Sequence, residues 1–170
     1  GKEFAFQLAK KGINLVIIAR RGVVLDRIAS ELREQFRIKT LSIPLDLLLP
    51  DSMDIIRSND NDLDIGLLVN NAGFGLEGYF LDNPKDRDLS MIELHVRTPY
   101  LLAREFAPAM VERGRGGIIF VSSTAGFVSI PKWSNYSATK AYVLHLGEAI
   151  SYDLGLKGVD VEVLCPGPTR

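Results

Sequence analysis

Apolar residues in this chain follow two rhythms that alternate from one end to the other. Short runs of strand length occur at 14–19 (NLVIIA), 40–45, 65–69, 118–122 and 159–164. The first, β-branched and apolar, reads as a strand buried on both faces. Between them the apolar positions recur at helical spacing. Phe4, Ala5, Leu8 and Ala9 mark a helix over 2–11, which Gly12 stops. Leu25, Ile28, Ala29, Leu32 and Phe36 fall at i, i+3, i+4, i+7 and i+11, an amphipathic helix. A weaker helix is read at 51–58, a long one at 84–113 with the glycine-rich stretch 114–117 breaking it, and another at 135–156 with Gly158 beyond its end. No internal repeat, low-complexity tract or linker interrupts the pattern.

Strands alternating with helices of this length imply parallel strands joined by right-handed crossovers. The expected fold is α/β, a doubly wound parallel sheet with helices on both faces in a three-layer sandwich, and a single domain over 1–170. Such sheets bind ligands outside the carboxyl ends of their strands. Arg20, Asp46, Asn70, Ser122, Ser123 and Pro166 all stand at or just after a predicted strand end.

Composition narrows the function classes. With 20 Lys and Arg against 21 Asp and Glu the formal charge is −1, which argues against an electrostatic nucleic-acid binder. One cysteine, Cys165, excludes an internal disulfide framework and a zinc site built on several thiolates. It fits a reducing compartment, and a cytoplasmic location is expected. No apolar run reaches the roughly 18 to 20 residues that span a bilayer. The chain begins with Gly1 rather than Met, so an anchor upstream stays open.

Tyr136 and Lys140 stand four apart at the start of a predicted helix, on one helical face. A phenol with an unperturbed pKa near ~10 is a poor acid or base at neutral pH, and a fixed positive charge beside it favours the phenolate. The spacing alone says little, because Tyr and Lys four apart occur on many surface helices. Context gives it weight. Ser122 and Ser123 end the preceding strand, and a turn holding Gly126, Ser129, Pro131 and Ser134 leads into Tyr136.

The run over 117–141, GIIFVSSTAGFVSIPKWSNYSATKA, resembles the catalytic segment of the short-chain dehydrogenase/reductase family. Asn70-Asn71-Ala72-Gly73 and Pro166-Gly167 resemble two further signatures in the same order and at similar separations. The resemblance covers nearly the whole chain and implies a Rossmann-like, NADP-binding domain and an oxidoreductase. It also implies roles. Tyr136 is the general acid in reduction and the base in oxidation. Lys140 lowers its pKa and holds the nicotinamide ribose, while Ser123 polarises the substrate oxygen. Asn70 lies beside the adenosine ribose, Ala72 and Gly73 let backbone approach the cofactor, Asp46 contacts the adenine and Leu47 packs on it. Gly1, Pro166, Gly167 and Thr169 complete the cofactor set. Read as plain structure, Ser123 would merely satisfy a turn, and the Asn-Gly motif would merely end a strand.

The second strand ends in Ala19-Arg20-Arg21 with no acid before Asp26. A carboxylate there usually takes the ribose 2′-hydroxyl of NAD, whereas an Arg accommodates the 2′-phosphate of NADP. NADP(H) is therefore expected over NAD(H). The alternative is a solvated basic start to a helix.

Two departures from the family stand out. Gly1 resembles the last glycine of Thr-Gly-x-x-x-Gly-x-Gly. Neither the rest of that turn nor the first strand, which lies centrally in the family's sheet, is represented, and the chain stops at Thr169-Arg170 before the substrate-covering loop. A fragment of a longer enzyme is expected, binding NADP(H) poorly or not at all by itself. His95 stands where the family often has an Asn, at a kink that supports a water in the proton relay. Three roles stay open for it: holding the same water, a different relay, or a packed core histidine.

The substrate implied is a small carbonyl or alcohol. Phe74, Phe127, Ile130, Pro131 and Trp133 flank the predicted site and suggest an apolar one, though loop packing explains them equally. Family members usually form dimers or tetramers through their long helices. Two other readings remain: a non-catalytic relative with a regulatory or scaffold role, and a sugar-nucleotide epimerase or dehydratase of the extended relatives. The Asn-Asn-Ala-Gly motif fits the shorter oxidoreductases better.

Overall fold

The computed structural model describes residues 1–60 and 63–168, with only the backbone of Asp60. The chain divides into two compact units, Gly1–Ile56 and Arg57–Arg170.

In the first unit, α1 (Lys2–Lys10) leads through a turn into β1 (Leu15–Ala19), α2 (Gly22–Phe36) and β2 (Thr40–Pro44). The turn after α1 needs Gly12, whose φ of 77° is left-handed. β1 and β2 pair in parallel, Leu15 opposite Thr40 and Ala19 opposite Pro44. Ala5 and Ala9 of α1, Leu32 of α2 and Ile38 form a buried cluster, with Phe6, Leu15, Ile17, Ile28 and Phe36 packed around it. The parallel pairing brings both carboxyl ends to one edge, where the Leu45 N–H donates to the Ala19 carbonyl over 3.0 Å. α3 (Ser52–Asp60) starts in this unit and ends in the next.

The second unit is a three-stranded parallel sheet in the order β3 (Leu67–Asn70), β4 (Gly116–Val121), β5 (Val159–Leu164). Between β3 and β4 run α4 (Lys85–Ile92), a π-helical turn (Glu93–Arg97) and α5 (Thr98–Glu112). A short 3-10 turn (Thr124–Gly126) and α6 (Ser134–Gly155) join β4 to β5. Ala103 and Met110 of α5, Ile118 and Phe120 of β4, Val143 of α6 and Val159 of β5 make the core. Fully burying a side chain of this size contributes about 1.5–3 kcal/mol.

Two details differ from the sequence reading. The helix expected over 84–113 is not uniform, because the π-helical turn inserts a residue into its middle. β4 begins at Gly116 rather than at 118. Gly116 and Gly117, placed by the sequence in the stretch that breaks the helix, pair with Val159 and Asp160 of β5. A Cβ on Gly116 would lie 2.6 Å from the Met110 side chain, so glycine lets the strand start flush against α5. No helix among the described residues is long and apolar enough to cross a membrane.

Candidate active site

β3, β4 and β5 run parallel, so Asn70, Ser122 and Cys165 come to the same edge of their sheet. The two serines after β4 have different tasks. Ser122 is buried, and its hydroxyl donates to the Lys140 carbonyl over 2.7 Å, fastening the strand end to α6. The 3-10 turn closes down on that bond. A Cβ on Gly126 would stand 2.8 Å from Ser122 Oγ and 3.0 Å from the Lys140 carbonyl oxygen. Ser123 is half-buried and extended, and its Oγ accepts from the Ala125 N–H over 3.2 Å. That bond is the turn-capping role expected of a hydroxyl here, and it leaves the hydroxyl proton to donate elsewhere.

α6 begins just before Tyr136. Trp133 precedes the helix, and its ring meets the Tyr136 ring edge-on with centroids 5.4 Å apart. His95 meets it from another side at 5.9 Å. The Tyr136 hydroxyl makes no hydrogen bond among the described residues. One turn along, Lys140 is buried, and its ammonium donates to the Val121 carbonyl over 2.8 Å while lying 5.7 Å from the Tyr136 ring centroid. The i, i+4 spacing thus does bring the cation to the phenol. Burial lowers the Lys140 ammonium to about 8, against a smaller upward pull from Cys165.

His95 sits in the π-helical turn with 2% of its surface exposed. At the end of that turn the Glu93 carbonyl accepts both the Thr98 N–H and, over 3.0 Å, the Thr98 hydroxyl. The imidazole Nε2 accepts from the Phe74 N–H at 3.0 Å, and Nδ1 lies 3.1 Å from Thr139 Oγ1. Burial, and then the Lys140 charge, lower His95 to about 3. Gly73 makes the approach possible, since a Cβ there would lie 2.8 Å from His95 Nε2. The glycine of the Asn-Gly motif therefore makes room for a side chain of its own protein.

Thr139 was not singled out by sequence reasoning. It lies three residues after Tyr136, and its hydroxyl donates back to the Tyr136 carbonyl over 2.9 Å. Asn135 was also missed: its amide donates to the carbonyl and carboxylate oxygens of Asp88, at 2.9 and 3.1 Å, fixing the start of α6 against α4. Their only sequence signal was a polar residue on the buried side of a helix.

The remaining sites fall in two groups. Asn70 closes β3, and both polar atoms of its side chain are buried without a hydrogen-bond partner. Ala72 and Gly73 follow on an exposed stretch. Pro166 offers its carbonyl to the Thr124 N–H at 3.0 Å, and Gly167 is exposed beyond it. Thr169 lies outside the described residues. The first unit holds Gly1, which caps α1, together with exposed Arg20 and Arg21 at the end of β1 and half-buried Asp46 and Leu47 just past β2. Asp46 accepts from the Leu48 N–H over 3.1 Å. No cluster of His, Cys, Asp and Glu suited to a metal occurs among the described residues.

The short chain dehydrogenase family matches the chain over residues 1–170. The very-long-chain 3-oxoacyl-CoA reductase of Homo sapiens is 35% identical over 170 residues, covering 98% of this chain and 54% of the reductase. The chain thus spans about half the length of the curated relatives it matches. A short-chain dehydrogenase from Sphingobium yanoikuyae in complex with NADPH superposes with a TM-score of 0.94 at 32% identity, over 98% of this chain and 66% of that one. A bulky-bulky ketone specific alcohol dehydrogenase from Comamonas testosteroni gives 0.94 at 33% identity, over 98% and 68%. With its parallel Rossmann-like architecture, its serine-ended β4 and the Tyr136–Lys140 pair on α6, the chain belongs to the short-chain dehydrogenase/reductase family.

Proposed function

We propose that the enzyme carrying this chain transfers hydride between NADP(H) and the carbonyl or alcohol carbon of a bulky, apolar substrate. The observation that carries the reading is the Tyr136 phenol beside a buried Lys140 ammonium whose position the Val121 carbonyl fixes. In reduction the Tyr136 hydroxyl gives its proton to the substrate oxygen, and in oxidation the phenolate takes it back. Ser123 donates to the same oxygen as it gains negative charge. Lys140 keeps a positive charge next to the phenol, which favours the proton's departure.

The residues fit a nicotinamide dinucleotide. Asn70 presents a buried amide with no hydrogen-bond partner among the described residues. The Lys140 ammonium has three N–H donors, of which Val121 takes one. Asn70, Ala72, Gly73, Lys140, Pro166 and Gly167 would hold the cofactor, with Arg20 and Arg21 on a 2′-phosphate and Asp46 and Leu47 at the adenine. The cofactor supplies or accepts the hydride. An apolar substrate follows from Phe127 and Val128, 62% and 60% exposed, with Ile130 and Trp133 in the same turn before Tyr136. Exposed apolar side chains beside a reactive phenol suit a ligand that covers them.

The test is reduction of a panel of bulky ketones and 3-oxoacyl thioesters by the enzyme and by Tyr136→Phe, with NADPH and with NADH. The expected result is NADPH-dependent reduction that Tyr136→Phe abolishes. Undiminished turnover by the variant overturns the mechanism, and a parent inactive on every carbonyl overturns the function.

A further inference from the structure

We infer that His95 is a positioning residue for Tyr136, an uncharged clamp between the loop leaving β3 and the start of α6, whose imidazole neither holds a relay water nor relays a proton. The inference rests on the proposed role of Tyr136.

The bonding around the ring fixes its protonation. The Phe74 N–H can only donate, so Nε2 accepts and carries no proton. The ring proton is therefore on Nδ1, facing Thr139 Oγ1. That hydroxyl accepts from Nδ1 and gives its own proton to the Tyr136 carbonyl. The chain of donors runs one way, from the Phe74 amide through the imidazole and Thr139 to Tyr136, and every link is filled. Both ring nitrogens are bonded to protein, so the imidazole has no lone pair or N–H left for a water. A second proton would have to point at the Phe74 N–H. Burial and the neighbouring Lys140 charge lower His95 to about 3, in keeping with this arrangement.

Three features make the contact a built one. The π-helical turn brings the ring inward, Gly73 gives up its side chain to admit it, and the His95 and Phe74 rings meet at 5.7 Å. The consequence falls on Tyr136, whose ring leans on His95 while its carbonyl takes the Thr139 hydroxyl. Without the clamp the Tyr136 side chain loses one wall and the β3 loop loses its tie to α6.

Side-chain length gives the test its resolution. Glutamine places its amide oxygen where Nε2 stands, within reach of the Phe74 N–H. Asparagine reaches only as far as Nδ1, so it meets Thr139 and leaves Phe74 without an acceptor. In the full-length enzyme, His95→Ala is expected to lower kcat about 10- to 100-fold, as a small misplacement of a reacting group does, with KM for NADPH within about twofold. His95→Gln is expected to recover most of kcat and His95→Asn little. Asparagine equal to or better than glutamine overturns the clamp in favour of a water-holding site, and wild-type kcat in His95→Ala overturns any positioning role. Should His95→Ala fail to fold, Thr139→Val breaks the same chain at near-constant volume and is expected to lower kcat likewise; an unchanged kcat overturns the inference.

A second readout needs no turnover. In the full-length enzyme labelled with 15N at histidine, the His95 signals, identified as those lost in His95→Gln, are expected to show a bare Nε2 and a protonated Nδ1, unchanged as pH falls from 8 to 5. A proton on Nε2, or a ring that titrates in that range, overturns the clamp. A parent enzyme with no carbonyl reduction counts against the proposed function, and the nitrogen signals still decide the bonding.

Discussion

The two units carry their proposed site residues in opposite ways. In the two-stranded unit, Arg20 and Arg21 project from the end of β1 into solvent, and Asp46 uses one oxygen on its own turn. In the three-stranded unit, Ser122, His95, Thr139 and Lys140 are buried and bonded to one another or to nearby backbone. Exposed charge selects among ligands and contributes little to stability. A buried polar network does both jobs, because each group must be satisfied for the fold to hold. Cofactor choice should thus be separable from stability, and the chemistry much less so, apart from the group whose hydroxyl makes no hydrogen bond among the described residues.

That group is Tyr136, the strongest test of the contrast. Tyr136→Phe is expected to reduce turnover roughly 10²- to 10⁴-fold, the range of a lost general acid, while the denaturation midpoint stays within about 0.5 kcal/mol. A large loss of stability would show that the hydroxyl belongs to the network. Next comes the exposed edge. Replacing Arg20 or Arg21 singly by Asp is expected to shift the NADPH-to-NADH ratio of kcat/KM by about tenfold or more, the scale of one charge-assisted hydrogen bond. Melting curves should scarcely move. An unaltered ratio would leave these arginines as solvated charges.

The buried network should respond to pH. His95 titrates at about 3 when folded and near ~6.5 when unfolded. Between those values the unfolded chain binds a proton that the folded chain refuses, so this stability is complete above pH ~6.5 and falls as the solution is acidified. The loss by pH 5 is about 2 kcal/mol. Urea titrations at pH 7 and pH 5 check it, and His95→Gln is expected to remove that part of the difference. The smallest effect separates two neighbours. Ser122→Ala should cost about 1 kcal/mol through its buried bond to the Lys140 carbonyl. Ser123→Ala should cost less, its bond from the Ala125 N–H being part-buried and 3.2 Å long, and should lower kcat, by about 10²-fold if it donates to the developing oxyanion. Reversed outcomes would exchange the roles of the two serines.

Much of this was legible beforehand, for physical reasons. β1 announced itself in Leu15 to Ala19 through an unbroken run of branched apolar residues, whereas β5 alternates valine with Asp160 and Glu162, as a strand with one exposed face does. Tyr136 and Lys140 were legible because helical spacing and contact coincide. The π-helical turn was not visible in the pattern of apolar positions. An extra residue in one turn changes no composition, and Glu93 to Arg97 reads as ordinary helix. The environment of His95 was hidden for a related reason: its partners lie 21 and 44 residues away, and nothing local distinguishes a clamped imidazole from a packed one. Thr139 escaped because its two bonds, one within the helix and one across to His95, appear only once α6 is seated.

The position of Trp133 has a practical corollary. It is the chain's only tryptophan, and its ring lies 5.4 Å from that of Tyr136. Indole emission from this segment therefore has a single source, placed beside the Tyr136 phenol. Anything that docks there changes the polarity and quenching around that ring, so binding can be followed by intrinsic fluorescence with no label and no competing tryptophan signal from the rest of the segment.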